Sequence, residues 1–265
     1  MSVPLTQRHL VEEEFHDGGN KGGGFLDFKY APHVLRHADN YAIGLLDNVR
    51  GKRILEIGCG NGFYTLRFAG AGAEVAAFDI SPARVAETRR RVLSRHLEHR
   101  VTVDVMSAED MVYISQSFDL AFGHSVLHHL DLALASKEIS RVLKPGGRGV
   151  FVEPLGQNPI IGLYRRLTPK RRTATEQPLN MKDIHSLKAF FPRVSHREFY
   201  FTALLVVAFW LALPTVPGSP KIMDILTRLD DFLLHHAPPM GRYCWVSVIQ
   251  VEKGHPPSAI RETWG

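Results

Sequence analysis

Short apolar runs separated by stretches of helical spacing fill the middle of the chain. Residues 53–57 (RILEI), 75–79 (VAAFD), 101–106 (VTVDVM), 118–123 (FDLAFG) and 149–153 (GVFVE) are the predicted strands. Residues 65–71, 82–97 and 132–143 read as helices between them, the second with Ser81 as N-cap and Pro82 at the first helical position. Gly146 and Gly147 are expected to stop the third. Strands alternating with helices predict a doubly wound α/β sheet. Ahead of this core, residues 32–47 have helical apolar spacing interrupted by Gly44, and 1–31 read as a mobile entry segment rich in glycine. Beyond Glu153 the alternation is replaced by a basic, loop-rich stretch to Gln177, a short helix over 181–190 and a further strand opening at VSHREFYF. Residues 243–251 (YCWVSVIQV) alternate like a closing strand. The expected division is an entry segment (1–31), a core (32–153), a basic and apolar insert acting as a cap (154–240) and a closing strand with its tail (241–265), all in one globular domain.

The chain has 265 residues, 45% of them hydrophobic, enough for one sizeable core. Its net charge of +5 suits an anionic partner, whether a phosphorylated molecule, an acidic membrane surface or a nucleic acid. Cys59 and Cys244 form no spaced framework, which favours a reducing cytoplasm over a disulfide scaffold or structural zinc. The first 15 residues lack the basic start and apolar run of a secretory signal. Residues 199–213 form the strongest apolar run, stopped by Pro214 short of the roughly 20 residues a spanning helix needs. That run reads as a core, cap or membrane-surface element.

The chemistry concentrates in Leu55-Glu56-Ile57-Gly58-Cys59-Gly60-Asn61-Gly62, which follows a strand and opens a helix. Glycines there permit positive φ and bring the main chain close to a ligand at a helix N-terminus. Asp79 ends the next strand, where a carboxylate can accept both hydroxyls of a ribose or cap the following helix. A nicotinamide dinucleotide fingerprint would need Gly-x-Gly-x-x-Gly, but Phe63 stands where its last glycine belongs.

LEIGCGNG, the aspartate ending the second strand, the loop Ser107-Ala108-Glu109-Asp110, FDLAFGHSVLHH and RVLKPGG together resemble the successive motifs of class I S-adenosylmethionine-dependent methyltransferases over roughly residues 50–153. The resemblance implies a seven-stranded sheet with helices on both faces and S-adenosylmethionine as cofactor. It places Glu56, Gly58, Cys59, Gly60, Asn61 and Gly62 around the methionine part and Asp79 on the ribose. Ile80 would then flank the adenine, Ala108 and Glu109 would border its polar edge, and His124 and Ser125 would lie near the sulfonium.

Methyl transfer from a sulfonium asks an enzyme mainly to align the nucleophile and remove a proton where one is lost. His128 and His129, past the fourth strand, are the proton-transfer candidates, against the alternative that they pack locally. Glu153 at the end of the fifth strand and Tyr30 in the entry segment are further catalytic candidates, each with a structural alternative. Arg165, Arg166, Arg171 and Arg172 are candidates for binding a phosphate or carboxylate, against a solvated basic face. His33 and His37 share a helical spacing but have no evident third ligand, and His235 and His236 are adjacent, so no metal is expected. The resulting expectation is methylation of a small, apolar, lipid-like or anionic molecule at oxygen or carbon, with peripheral membrane contact as a possible accompaniment. The alternatives are a nucleic-acid methyltransferase and a non-catalytic cofactor-binding regulator. Nucleic acid is disfavoured, because Gly123-His124-Ser125-Val126 stands where base methyltransferases carry Asn or Asp before Pro-Pro and an aromatic.

Overall fold

The computed structural model describes residues 7–17, 36–168, 176–204 and 220–254. Its centre is a seven-stranded sheet in the order β3-β2-β1-β4-β5-β7-β6. The strands are β1 (Arg53–Ile57), β2 (Glu74–Asp79), β3 (Val101–Val105), β4 (Phe118–His124), β5 (Leu143–Pro154), β6 (Arg193–Phe199) and β7 (Val246–Glu252). All pairs from β3 to β5 are parallel, and β7 runs antiparallel to both β5 and β6.

Central strands covered on both faces should be apolar without alternation, and β1, β2 and β4 are buried nearly throughout. One face packs against α2 (Arg36–Leu46), α3 (Phe63–Gly70) and α4 (Pro82–Ser94) through Ala42, Phe68, Val85 and Phe122. The other packs against α5 (Leu132–Val142) through Ile139, with Phe118, Phe151 and Leu55 beneath. Each such large side chain removed from water is worth about 1.5–3 kcal/mol. The edge strand β6 carries Arg193, His196, Arg197 and Glu198 and is largely exposed, which blunts it against further pairing.

Three local signals explain boundaries. Ser81 Oγ accepts the Arg84 N–H at 3.2 Å, with Pro82 next, and this fixes the start of α4. Asp131 accepts from Ala133 and Leu134, both at 3.1 Å, and starts α5. Asn180 and Asp183 form a reciprocal capping box on α7 (Met181–Ser186).

Several sequence expectations need adjustment. Gly146 and Gly147 do not end the third core helix, which stops at Val142; they lie within β5, where the Gly146 N–H reaches Lys253 O at 2.9 Å. Residues 187–189 form a 3-10 turn after the short α7. The entry segment contains a helix, α1 (Gln7–Asp17), docked on α4. Residues 154–240 supply the sheet strand β6 as well as α6 (Pro159–Leu167), α7 and α8 (Pro220–His236). Tyr30, His33, Arg171, Arg172 and residues 205–213 of the apolar run lie outside the described residues.

Candidate active site

In this sheet order β2 and β3 are added on one side of β1 and β4 and β5 on the other, so the parallel strands β1 and β4 meet where the winding reverses, and their carboxyl ends open a crevice of the kind where α/β proteins bind ligands. The turn from β1 into α3 forms one wall. Gly58 has φ 69°, and a Cβ there would come within 2.8 Å of Val126. Gly62 has φ 77°, and its Cβ would come within 2.8 Å of Thr88. Side chains are therefore excluded at both ends of the turn. Around Gly60, by contrast, nothing lies within 4 Å of a built Cβ, so the middle of the turn faces open space. The Cys59 N–H bonds Phe78 O at 2.9 Å, tying the turn to β2. The Cys59 thiol is buried, and burial pushes its pKa up, so it stays neutral. Asn61 Oδ1 accepts from Phe63 N at 3.2 Å at the mouth of α3.

Two carboxyls flank this turn. Asp79 is buried and accepts the Gly60 N–H at 2.8 Å and the Ser81 N–H at 3.0 Å, so the end of β2 is locked to the turn after β1. Glu56 is 2% exposed, and the Thr65 hydroxyl donates to it at 2.5 Å. Burial pushes its pKa to about 8 despite that bond. Beside an open glycine turn, this acid can give up its proton and pair as a carboxylate with a cationic group. The donor set thus fits the amine and ribose ends of S-adenosylmethionine.

The far side of the crevice is closed by residues that arrive from elsewhere. Ser107 Oγ accepts the Glu109 N–H at 3.2 Å, and Ala108 is buried beside it. Glu109 is engaged by Arg8 and His9 of α1, the latter at 2.8 Å, and accepts the Asp131 N–H at 2.6 Å. At the other end of α1, Asp17 accepts the Ser81 hydroxyl and, at 3.2 Å, the Ala83 N–H. Helix α1 therefore lies across the edge of the sheet from the β3 loop to α4, over the region where an adenosine is expected. Ile80 is half-buried between Asp79 and Ser81. His124 bonds Asp39 of α2 at 3.2 Å and stacks on Tyr64 at 5.3 Å, and Asp39 also bonds the Tyr64 hydroxyl. Ser125 takes a left-handed φ of 55° with its N–H on Val152 O at 2.8 Å.

The turn after β4 is organised around Glu153. This side chain is fully buried and accepts the Val126 and Leu127 N–H groups, each at 2.9 Å, the His128 N–H at 3.4 Å and the His128 ring at Nδ1, 2.7 Å away. Burial pushes its pKa up, but the His128 ring and backbone donors outweigh that and hold it below the ordinary range. Burial lowers the His128 pKa. A neutral imidazole donating Nδ1–H to a carboxylate follows, leaving Nε2 as the acceptor. Glu153 thus stands behind the crevice wall rather than on its surface, and it acts through His128 and the turn. His129 points the other way, to Glu12 of α1 at 3.0 Å.

A second, more open cleft of 520 Å³ adjoins this turn. It is lined by Gln157, Arg165, Arg166, Glu176, Gln177 and Asn180 among others, and the Gln177 N–H bonds His128 O at 2.9 Å. Arg165 pairs with Glu176 at 2.5 Å, whereas no carboxylate among the described residues pairs with the exposed Arg166. His37 bonds Asp224 of α8 at 2.9 Å.

Sequence reasoning missed Arg8, His9, Glu12, His16, Asp17, Asp39 and Tyr64. The Glu12/His16 spacing was readable as one helical face, but nothing local indicated what that face meets.

Comparison with known proteins gives a consistent picture. Residues 55–151 match the family model for a methyltransferase domain. The 27-O-demethylrifamycin SV methyltransferase of Amycolatopsis mediterranei is 35% identical over 136 residues, 49% of this chain and 50% of that protein. The ubiquinone/menaquinone biosynthesis C-methyltransferase UbiE of Nitrobacter hamburgensis is 35% identical over 160 residues, 57% of this chain and 62% of that one. The chain thus spans between half and two thirds of these relatives. Among solved structures, the geranyl diphosphate C-methyltransferase of Streptomyces coelicolor superposes with a TM-score of 0.65 at 15% identity, covering 95% of this chain and 100% of that one, which shows a shared fold.

Proposed function

We propose, from the match of residues 55–151 to the methyltransferase-domain model, that the protein is a class I methyltransferase that transfers a methyl group from S-adenosylmethionine to oxygen or carbon of a small amphiphilic or anionic molecule. The observation that carries the reading is the open glycine turn at the sheet's reversal point, bracketed by the buried carboxyls Glu56 and Asp79.

When bound, the cofactor supplies a methyl on an already activated leaving group. The Gly58–Gly62 main chain, with Cys59 and Asn61, cradles its methionine end, and Glu56 receives the amine. Asp79 takes the ribose hydroxyls, Ile80 and Ala108 line the adenine with Glu109 at its polar edge, and His124 and Ser125 border the transfer point. Closure by α1 excludes water from this space, which strengthens each of these contacts. On the acceptor side, Glu153 fixes the His128 ring so that Nε2 takes up the proton that an alcohol or activated carbon loses; His129 lies alongside, and Tyr30 is retained as a further contributor from the entry segment. Arg166, with Arg165, Arg171 and Arg172 from the same basic stretch, binds an anionic end of the acceptor in the 520 Å³ cleft.

The amphiphilic character of the acceptor is supported by exposed apolar side chains beside that cleft, Ile160, Leu163 and Leu167 on α6. Two relatives it resembles are named for methylation of 27-O-demethylrifamycin SV and for ubiquinone/menaquinone biosynthesis. Ile222, Ile225, Leu229 and Phe232 make a second exposed apolar stripe on α8, which suits peripheral contact with an acidic membrane. No helix among the described residues is long and apolar enough to cross one.

The test is incubation with methyl-labelled S-adenosylmethionine and a cell extract, followed by partition of the label. Label in the organic or small-molecule aqueous phase is the expected result. Label in nucleic acid overturns the acceptor class, and tight cofactor binding with no transfer into any extract favours a regulator.

A further inference from the structure

We infer that Glu12, His16 and His129 form a site for a divalent first-row transition metal, zinc being the ion tested, which clasps α1 onto the turn after β4. The observation is spatial. One carboxylate oxygen of Glu12, one ring nitrogen of His16 and one of His129 all lie within 4.8 Å of one another. Glu12 Oε2 is 3.0 Å from His129 Nδ1 and 3.8 Å from His16 Nε2. A tetrahedral ion with bonds of about 2.0–2.1 Å holds its ligand atoms about 3.3–3.4 Å apart. The two edges from Glu12 bracket that value, and the third, between the His16 and His129 nitrogens, lies under 4.8 Å, so rotation of the two rings toward each other completes the site.

Each ligand is presented by a defined piece of the fold. Glu12 and His16 stand one turn apart on the same face of α1. His129 sits in the 3-10 turn whose preceding N–H groups are gathered by the Glu153 carboxylate, so its backbone is held before any ion arrives. The rings of His16 and His129 already meet edge to face at 5.6 Å. Glu12 is buried, whereas a third of the His16 side chain is exposed, which gives an ion a way in. Negative neighbours surround the cluster, Glu176 and Glu153 acting on His129 and Asp79 on His16, with Arg84 the opposing positive neighbour of His16.

The donor set selects the ion. Two imidazoles and one carboxylate suit zinc and its neighbours, while magnesium and calcium require shells made of oxygen. Three protein ligands leave a fourth position for water or an acceptor atom. Because Glu12 and His16 belong to the helix that roofs the cofactor crevice and His129 belongs to its floor, occupancy would hold the roof closed.

The inference is tested without any methyl transfer, so its outcome is separate from that of the proposed reaction. Metal-stripped protein is titrated with zinc against a chromophoric chelator and, separately, with cobalt(II), and amide hydrogen exchange over residues 8–17 is followed with and without zinc. Expected are one zinc per chain, the intense visible bands of tetrahedral cobalt(II), and slower exchange across α1. Glu12→Gln, His16→Ala and His129→Ala should each weaken binding about 100-fold or more, since even a supporting partner costs 10–100-fold. His235→Ala, in the adjacent histidine pair on α8, should bind normally. Absence of stoichiometric uptake by the unaltered protein overturns the site whatever the variants do. Uptake unchanged in all three variants assigns the ion elsewhere, and uptake without slower exchange in α1 removes the clasp.

Discussion

At the scale of single residues, burial decides what each ionisable group can do. Asp79 and Glu56 are neighbours in different settings: the former accepts two backbone N–H groups, whereas the latter meets one hydroxyl in an apolar setting and burial pushes its pKa up to about 8. The raised value has two consequences. In the free protein Glu56 favours the folded state at low pH and costs stability as pH rises from its ordinary value of 4.5 toward 8. If the amine of the cofactor docks on it, the carboxylate form is favoured and a proton must leave. Calorimetry at pH 7 in buffers of different ionisation enthalpy should therefore show about one proton released per cofactor bound. Glu56→Gln should bind more weakly and release none; proton-neutral binding by the unaltered protein would show that the amine lies elsewhere. At this scale the glycine turn and Asp79 were legible in the sequence because their geometry depends on neighbours within one strand-turn-helix unit. The depth of Glu153 was not, since its saturation by four donors requires the turn at residues 126–128 to fold back over β5.

At the scale of elements, α4 was readable through its cap, Ser81-Pro82 being a signal that acts over three residues, and the matching Asp131 cap of α5 emerged only with the structure. α8 shows what such signals omit. Its Asp224 reaches Arg36 and His37 of α2, and its Asp230 reaches the chain after β6, so one face is committed to the core. The stripe of Ile222, Ile225, Leu229 and Phe232 stays exposed. If that stripe meets lipid, the protein should float with vesicles containing anionic lipid, and Phe232→Ser with Ile225→Ser should return it to the soluble fraction while leaving the unfolding temperature nearly unchanged. Protein that never floats rules out the membrane contact. Helix α1 carries the same lesson in another form: glycine-rich flanks suggested a mobile entry, but contacts to Glu109, His129 and Ser81 give it a fixed seat.

At the scale of the whole molecule, one domain is made by joining a parallel half, β3 to β5, to an antiparallel end, β7 and β6, that closes the sheet. A buried aspartate anchors the junction between that end and α8. Asp230 accepts the Phe201 N–H at 3.0 Å, the Thr202 N–H at 2.7 Å and the Thr202 hydroxyl at 2.6 Å. Asp230→Ala strands these donors, and urea unfolding should show a loss of about 2–3 kcal/mol, larger than an exposed aspartate would give. A loss below about 0.5 kcal/mol, the range of ordinary surface changes, would mean that water replaces the carboxylate.

The sequence by itself determined the parallel core, the succession of its strands and helices, the glycine turn after β1 and the departure of that turn from a dinucleotide fingerprint. Those features rest on hydrophobic periodicity, caps and glycine spacing, which act over a few residues and are written locally. Tertiary structure alone decided that β6 lies outside β7, that α1 roofs the crevice, and that Glu12 and His16 meet His129. These depend on contacts between residues from tens to more than a hundred positions apart, where the favourable burial is shared by many surfaces and no short pattern encodes which of them meet.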